Sequence, residues 1–252
     1  ETAECADVIL PASSFLEKTG TYTNTDRRVQ IGRATLTPPG EARLDWQIIC
    51  ELATRMGHPW NYSSIDEIFD EFCATTKNYA TLSYSHLGMH GKLWPCPDPE
   101  SEGMDVLFSE SFPTPSGKGK FVPCEFMPAK ELPDEEFPFV LNTGRLLEHW
   151  HTGTMTRRAS ALDALQPSAF VEMHPDDMAR LSLSPGSMVK ARSRRGEIEL
   201  AVRSTTTVQP GSVFIPFHFR EAAANVLTID ELDPYGKIPE LKFCAIAIER
   251  LQ

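Results

Sequence analysis

The residues best suited to chemistry gather in one stretch. Asn142-Thr143-Gly144-Arg145 reads as a turn, followed by His149-Trp150-His151 and then by Thr152-Gly153-Thr154-Met155-Thr156-Arg157-Arg158. Hydroxyls, a glycine and two guanidiniums after such a turn offer many donors and close backbone approach, which suits phosphate or a polar heterocycle. The alternative is a polar surface loop. A metal held directly by His149 and His151 is not expected, because no third His, Cys or acid stands at a helpful spacing. Neutral imidazole both donates and accepts, so a hydrogen-bonding role toward a polar ligand fits better.

Other candidates carry less. Asp26-Arg27-Arg28 could line an anion path but reads more simply as solvated surface. Gly117-Lys118-Gly119-Lys120 has the residue types of a phosphate loop without its spacing, so a hairpin tip is expected near 115–119 instead. Asp176 and Asp177 follow Pro175 and read as first-turn helix acids rather than a catalytic pair. The six cysteines include no Cys-x-x-Cys clip, so reduced, mostly buried thiols are expected rather than a zinc site, an iron–sulfur site or a disulfide framework.

The elements that must position these residues fall into two styles. Asp7-Val8-Ile9-Leu10-Pro11 reads as a buried strand and Val29–Arg33 as a short second one. Leu44, Ile48, Leu52 and Met56 recur at helical spacing, which predicts a helix over 43–56 stopped by Gly57. Ser64 is a good N-cap for a helix over 65–74, with Glu67 at the capping-box position. From Phe137 the pattern turns to strands: 139–141, 170–173, a hairpin of 187–192 and 197–202 around Arg194-Arg195-Gly196, 212–216 and 243–248, with one short helix at 176–181. Many short strands with an inserted helix suggest a closed barrel.

Composition narrows the partners. A net charge of −11 argues against nucleic acid or an anionic membrane surface, both of which are met with basic residues. No run approaches the roughly 20 apolar residues of a membrane helix, so no membrane segment is expected. The chain does not begin with Met, and an apolar strand pattern appears almost at once, so it reads as part of a longer protein.

Three stretches carry a resemblance. They are TAECADVILPASSFLEKTGTYTNTDRRVQ with the following PPGEARLDWQIICELATRMG; Thr-Gly-Arg-x-x-Glu-His-Trp-His-Thr-Gly-Thr-Met-Thr-Arg-Arg at 143–158; and Pro239-Glu240-Leu241-Lys242-Phe243-Cys244-Ala245. The chain resembles the C-terminal part of formate dehydrogenase catalytic subunits of the molybdopterin oxidoreductase family over essentially its whole length. The resemblance implies an α/β + β fold, with the C-terminal portion of an αβα domain over 1–100, a connecting segment over 101–135, and a six-stranded double-psi β-barrel over 136–252. It implies a bis-molybdopterin guanine dinucleotide carrying Mo or W, touched by Gly144, Arg145, His149, His151, Thr156, Phe217, Asn225 and Lys242. Catalytic residues, metal ligands and a 4Fe-4S centre are expected upstream, not here, so this portion alone is expected to be inactive. The expected partners are the N-terminal remainder of the subunit, an iron–sulfur or flavin electron-transfer subunit, and formate; the expected compartment is the cytoplasm. A nitrate reductase-like oxidoreductase, or a non-catalytic respiratory-complex subunit of the same fold, are the alternatives.

Overall fold

The structure is a computed structural model that describes residues 2–251. The chain forms two compact units, one through Val122 and the other from Pro123 onward.

The first unit is built on an open antiparallel sheet. Strand β1 (Gly20–Thr23) pairs with β2 (Arg28–Gly32), with Thr23 opposite Val29, and β2 pairs in turn with the short β3 (Lys92–Leu93). Helix α1 spans Asp45–Arg55, α2 Ile65–Thr75 and the single-turn α3 Tyr84–Leu87. In α2 the Ser64 hydroxyl accepts from the Glu67 N–H at 3.4 Å, and the Glu67 carboxylate reaches back to the Ser63 N–H at 2.8 Å. The expected capping box is therefore present, with its return bond one residue earlier than the pattern implies. Phe69 and Cys73, four residues apart on one face, reach a small core with Val29, Leu82, Leu87 and Cys96.

Two expectations fail in this unit, the strand over 7–11 and the hairpin near 115–119. Residues 7–11 form no strand, and Val8 is 74% exposed. An apolar run becomes a buried strand where neighbouring strands and helices cover it; among the described residues, the pairing next to this run is a bridge between Ala12 and Arg43. Helix α1 forms where its periodicity predicts, but it buries no residue, and Leu52 and Met56 remain 52% and 70% exposed. The hairpin expected near 115–119 is also absent. Pro113 and Pro115 lack the N–H groups a ladder needs. The segment closes as a turn instead, with the Phe112 N–H donating to the Gly117 carbonyl at 2.9 Å and Gly117 at φ +69°.

The second unit is a closed six-stranded barrel in the order β4 (Phe139–Gly144), β8 (Ser212–Pro216), β5 (Phe170–Met173), β7 (Glu197–Ser204), β6 (Met188–Arg192), β9 (Cys244–Arg250). β4 runs parallel to β8 and β5 parallel to β7, while the remaining pairings are antiparallel. This is the closed, six-stranded barrel expected. Alternation along each strand sends Leu141, Val171, Val189, Ala191, Leu200, Val213, Ile215 and Ile246 inward, and closure leaves no free edge. Helices α4 (Ser160–Leu165) and α5 (Pro175–Arg180) are inserted between strands. At α5 the two acids part company: Asp176 is exposed, while Asp177 is buried and accepts from the Gly211 N–H at 2.7 Å and from Arg180 at 2.8 Å. The segment leading into β4 is clamped to the barrel. Glu131 takes a two-pronged bond from Arg195 at 2.6 and 2.8 Å and accepts from the Ala245 N–H at 2.8 Å. Phe137 lies beneath the guanidiniums of Arg192 and Arg194.

Candidate functional site

Strand direction assembles the site. β4 and β8 are parallel with Gly144 opposite Pro216, so the chain leaves both strands at the same end of the barrel. β9 is antiparallel to β4, with Leu141 opposite Cys244, so the residues entering β9 lie at that end as well. Arg145, Phe217 and Lys242 thus meet although they are far apart in sequence. The Arg145 guanidinium lies 5.3 Å from the Phe217 ring centroid and the Lys242 Nζ 5.8 Å from it. The His151 ring meets the same ring edge-on at 5.8 Å. Two hydrogen bonds fix this geometry: the Phe217 N–H donates to the Gly144 carbonyl at 3.2 Å, and Lys242 donates to the Thr143 carbonyl at 3.4 Å. A Cβ at Gly144 would lie 2.3 Å from the Phe214 ring, so a glycine is what lets β4 and β8 end this closely. Beside Arg145 opens a recess of about 530 Å³ lined also by Asn142, Glu172, Gln209 and Phe214.

The loop after β4 is braced from within. His149 is only 4% exposed. Its Nε2 bonds the Gln166 carbonyl at 2.7 Å, which must accept, so Nε2 carries the proton and Nδ1 accepts from the Thr156 hydroxyl at 3.3 Å. That hydroxyl in turn accepts from the Trp150 N–H at 3.0 Å. His149 and Thr156 therefore spend their polar atoms inside the loop, while Arg145, His151 and Lys242 stay exposed. His151 adopts φ +49°, a left-handed conformation uncommon for a residue with a Cβ. Arg157 is committed inward too. It pairs with Glu221 at 2.6 Å and Asp163 at 3.2 Å and stacks 4.9 Å from Phe219; the Glu221 bond, followed by the Asp163 bond, holds its guanidinium above the ordinary arginine range. Asn225 lies in a short turn over 224–226, exposed, with its carbonyl accepting from the Thr228 hydroxyl at 3.0 Å.

Sequence reasoning missed His218. It is 1% exposed and lies directly under the loop: its Nε2 accepts from the Leu146 N–H at 2.8 Å and its Nδ1 donates to the His151 carbonyl. Burial pushes its pKa down, opposed by the bond to His151 and helped by the nearby His149, Arg145 and His151. The available signal was a histidine set between two phenylalanines directly after a predicted strand. Arg27, read as solvated surface, is instead an internal brace, donating to the carbonyls of Trp94, Met104 and Asp105. Among the described residues, no group of three His, Cys, Asp or Glu comes together to hold a metal ion.

Two family models match this chain: "Molybdopterin oxidoreductase" over residues 1–55 and "Molydopterin dinucleotide binding domain" over residues 139–245. Both stretches match domains of the molybdopterin oxidoreductases. The dinucleotide-binding match runs from β4 into β9 and encloses all the residues gathered at the barrel's end. Among curated relatives, the F420-dependent formate dehydrogenase subunit alpha of Methanocaldococcus jannaschii is 47% identical over the whole of this chain. The assimilatory nitrate reductase catalytic subunit of Bacillus subtilis is 39% identical over 98% of it, and formate dehydrogenase H of Escherichia coli 33% identical over 99%. The chain spans 38%, 36% and 35% of the length of these three relatives. Acetylene hydratase from Pelobacter acetylenicus shares the fold, with a TM-score of 0.71 at 20% identity over 99% of this chain and 39% of that one. No helix among the described residues is long and apolar enough to cross a membrane.

Proposed function

We propose that this chain is the C-terminal, cofactor-cradling portion of a formate dehydrogenase catalytic subunit. The observation that carries the proposal is the convergence of Arg145, His151 and Lys242 around Phe217 at one end of the barrel. Two exposed cations beside a flat ring suit a ligand that joins a pyrophosphate to a heterocycle, which is the chemistry of a molybdopterin guanine dinucleotide. Arg145 and Lys242 meet the pyrophosphate charge, Phe217 offers a flat apolar surface, and Asn225 suits a heterocycle edge. Gly144 lets the backbone approach, while His149 and Thr156 hold the loop that presents His151. When bound, the cofactor supplies a redox-active Mo or W centre for the two-electron oxidation of formate to CO2. The groups that act on formate and the 4Fe-4S relay belong to the rest of the longer, cytoplasmic subunit, with an iron–sulfur or flavin subunit as electron partner. This portion alone turns over no formate.

The similarity to a nitrate reductase keeps a second substrate in play. Anaerobic viologen assays on the complex isolated from its source through a tag on this chain separate the two. Formate-dependent dye reduction without nitrate-dependent dye oxidation supports formate. Nitrate activity without formate activity overturns the substrate, and a complex devoid of pterin, Mo and W overturns the cofactor reading in favour of a structural subunit of the same fold.

A further inference from the structure

The exposed groups at the barrel's end are presented by a loop whose path needs an explanation. Its first residue after Arg145 is held by an N–H bond to a side chain, and its histidine at 151 sits at positive φ. Both features lead to His218. A backbone N–H can only donate, so the 2.8 Å contact from Leu146 makes His218 Nε2 the acceptor. The remaining proton then lies on Nδ1, where it is donated to the His151 carbonyl. The neutral ring in one tautomer thus ties together two points of the loop five residues apart, one next to Arg145 and one at His151. Its orientation is fixed on three sides: by Phe217 with ring centroids 5.0 Å apart, by His149 at 5.7 Å, and by burial. The loop is also packed down onto this residue. Gly153 is at φ +75°, and a Cβ there would come within 2.6 Å of the His218 carbonyl oxygen.

We infer that His218 is a positioning residue for the dinucleotide: it touches no ligand itself and sets where Arg145 and His151 stand by bracing Leu146 and His151 at once. The inference rests on the cofactor reading above. It assigns the buried residue of the Phe217-His218-Phe219 run a role distinct from packing, because a phenyl ring would fill the same space and leave the Leu146 N–H and the His151 carbonyl unpaired.

The test uses the full-length subunit isolated anaerobically with its partners, as wild type, His218→Phe, His218→Asn and His218→Gln. Pterin released per folded subunit is read by fluorescence after oxidation, alongside the yield of folded complex. Asn places a donor near the Nδ1 position and keeps the His151 bond; Gln places an acceptor near Nε2 and keeps the Leu146 bond. The expected result is about a tenfold loss of pterin per folded subunit in His218→Phe, the scale seen when a residue orienting a ligand group is removed, with Asn and Gln in between. Equal pterin content in all four proteins, or failure of every variant to accumulate as folded complex, overturns the inference and leaves His218 a packing residue. A wild type without pterin overturns the cofactor reading, and this inference with it.

Discussion

The two units of the chain solve the problem of apolar surface differently. The barrel closes on itself, so inward residues of every strand share one core and even its polar approaches, such as Glu131, are tied down. The first unit has an open three-stranded sheet, and one of its amphipathic helices, α1, buries no residue fully. The difference teaches that an amphipathic pattern reports what a segment is able to pack against, while closure decides what it packs against within the chain.

Substitutions can break or sharpen that contrast. Ile215→Ala, in the middle of β8 and fully buried, should cost the barrel about 3–4 kcal/mol in guanidinium unfolding; a loss under about 1 kcal/mol would mean that the barrel is not the self-sufficient unit described. Glu131→Gln should cost about 2–3 kcal/mol, because it leaves Arg195 and the Ala245 N–H with a weaker partner at a largely buried position. Its sign with pH follows from the carboxyl, which the Arg195 hydrogen bond, against burial, holds below the ordinary glutamate range. The stabilisation is complete above the unfolded pKa and is lost as pH falls through the lowered folded value. Wild type should therefore lose this increment as pH falls below the ordinary glutamate range and through the lowered folded value, and the variant should not.

In the first unit the effects shrink. Ser64→Ala removes the cap of α2 and should cost about 0.5–1 kcal/mol, read as a loss of helical signal at lower denaturant. Leu52→Ala on α1 should cost under about 0.5 kcal/mol in this chain, since half of the side chain is already in solvent. A measured cost above 1 kcal/mol at Leu52 would show that α1 packs against something and would erase the contrast.

What could be read ahead of the structure follows the range of the interactions involved. The β6–β7 hairpin was readable because its alternation and its turn at Arg194-Arg195-Gly196 are local, and the pairing of Val189 with Leu200 bears it out. The α2 cap was readable for the same reason. Residues 7–11 were misread because a strand is a property of its neighbours, which local pattern does not contain. The 142–158 stretch stood out by residue type alone. Its meeting with Phe217 and Lys242 depends on β4 running parallel to β8 and antiparallel to β9, which no spacing encodes; family resemblance supplied those residues instead. His218 escaped because a single histidine between two phenylalanines looks like core, and only the directions of its two hydrogen bonds reveal the bracing.

The strand order also sets a timetable. Val140 in β4 is bonded to residues near 212 on one side and near 245 on the other. During synthesis the first barrel strand therefore emerges without either neighbour, and the cylinder cannot shut until the last strand has been made. Such distant pairings make folding slow and leave apolar strand edges open meanwhile. The end of the barrel where Arg145, Phe217 and Lys242 meet is accordingly among the last features of the chain to exist, so a ligand held there can be captured only by a barrel that has finished folding.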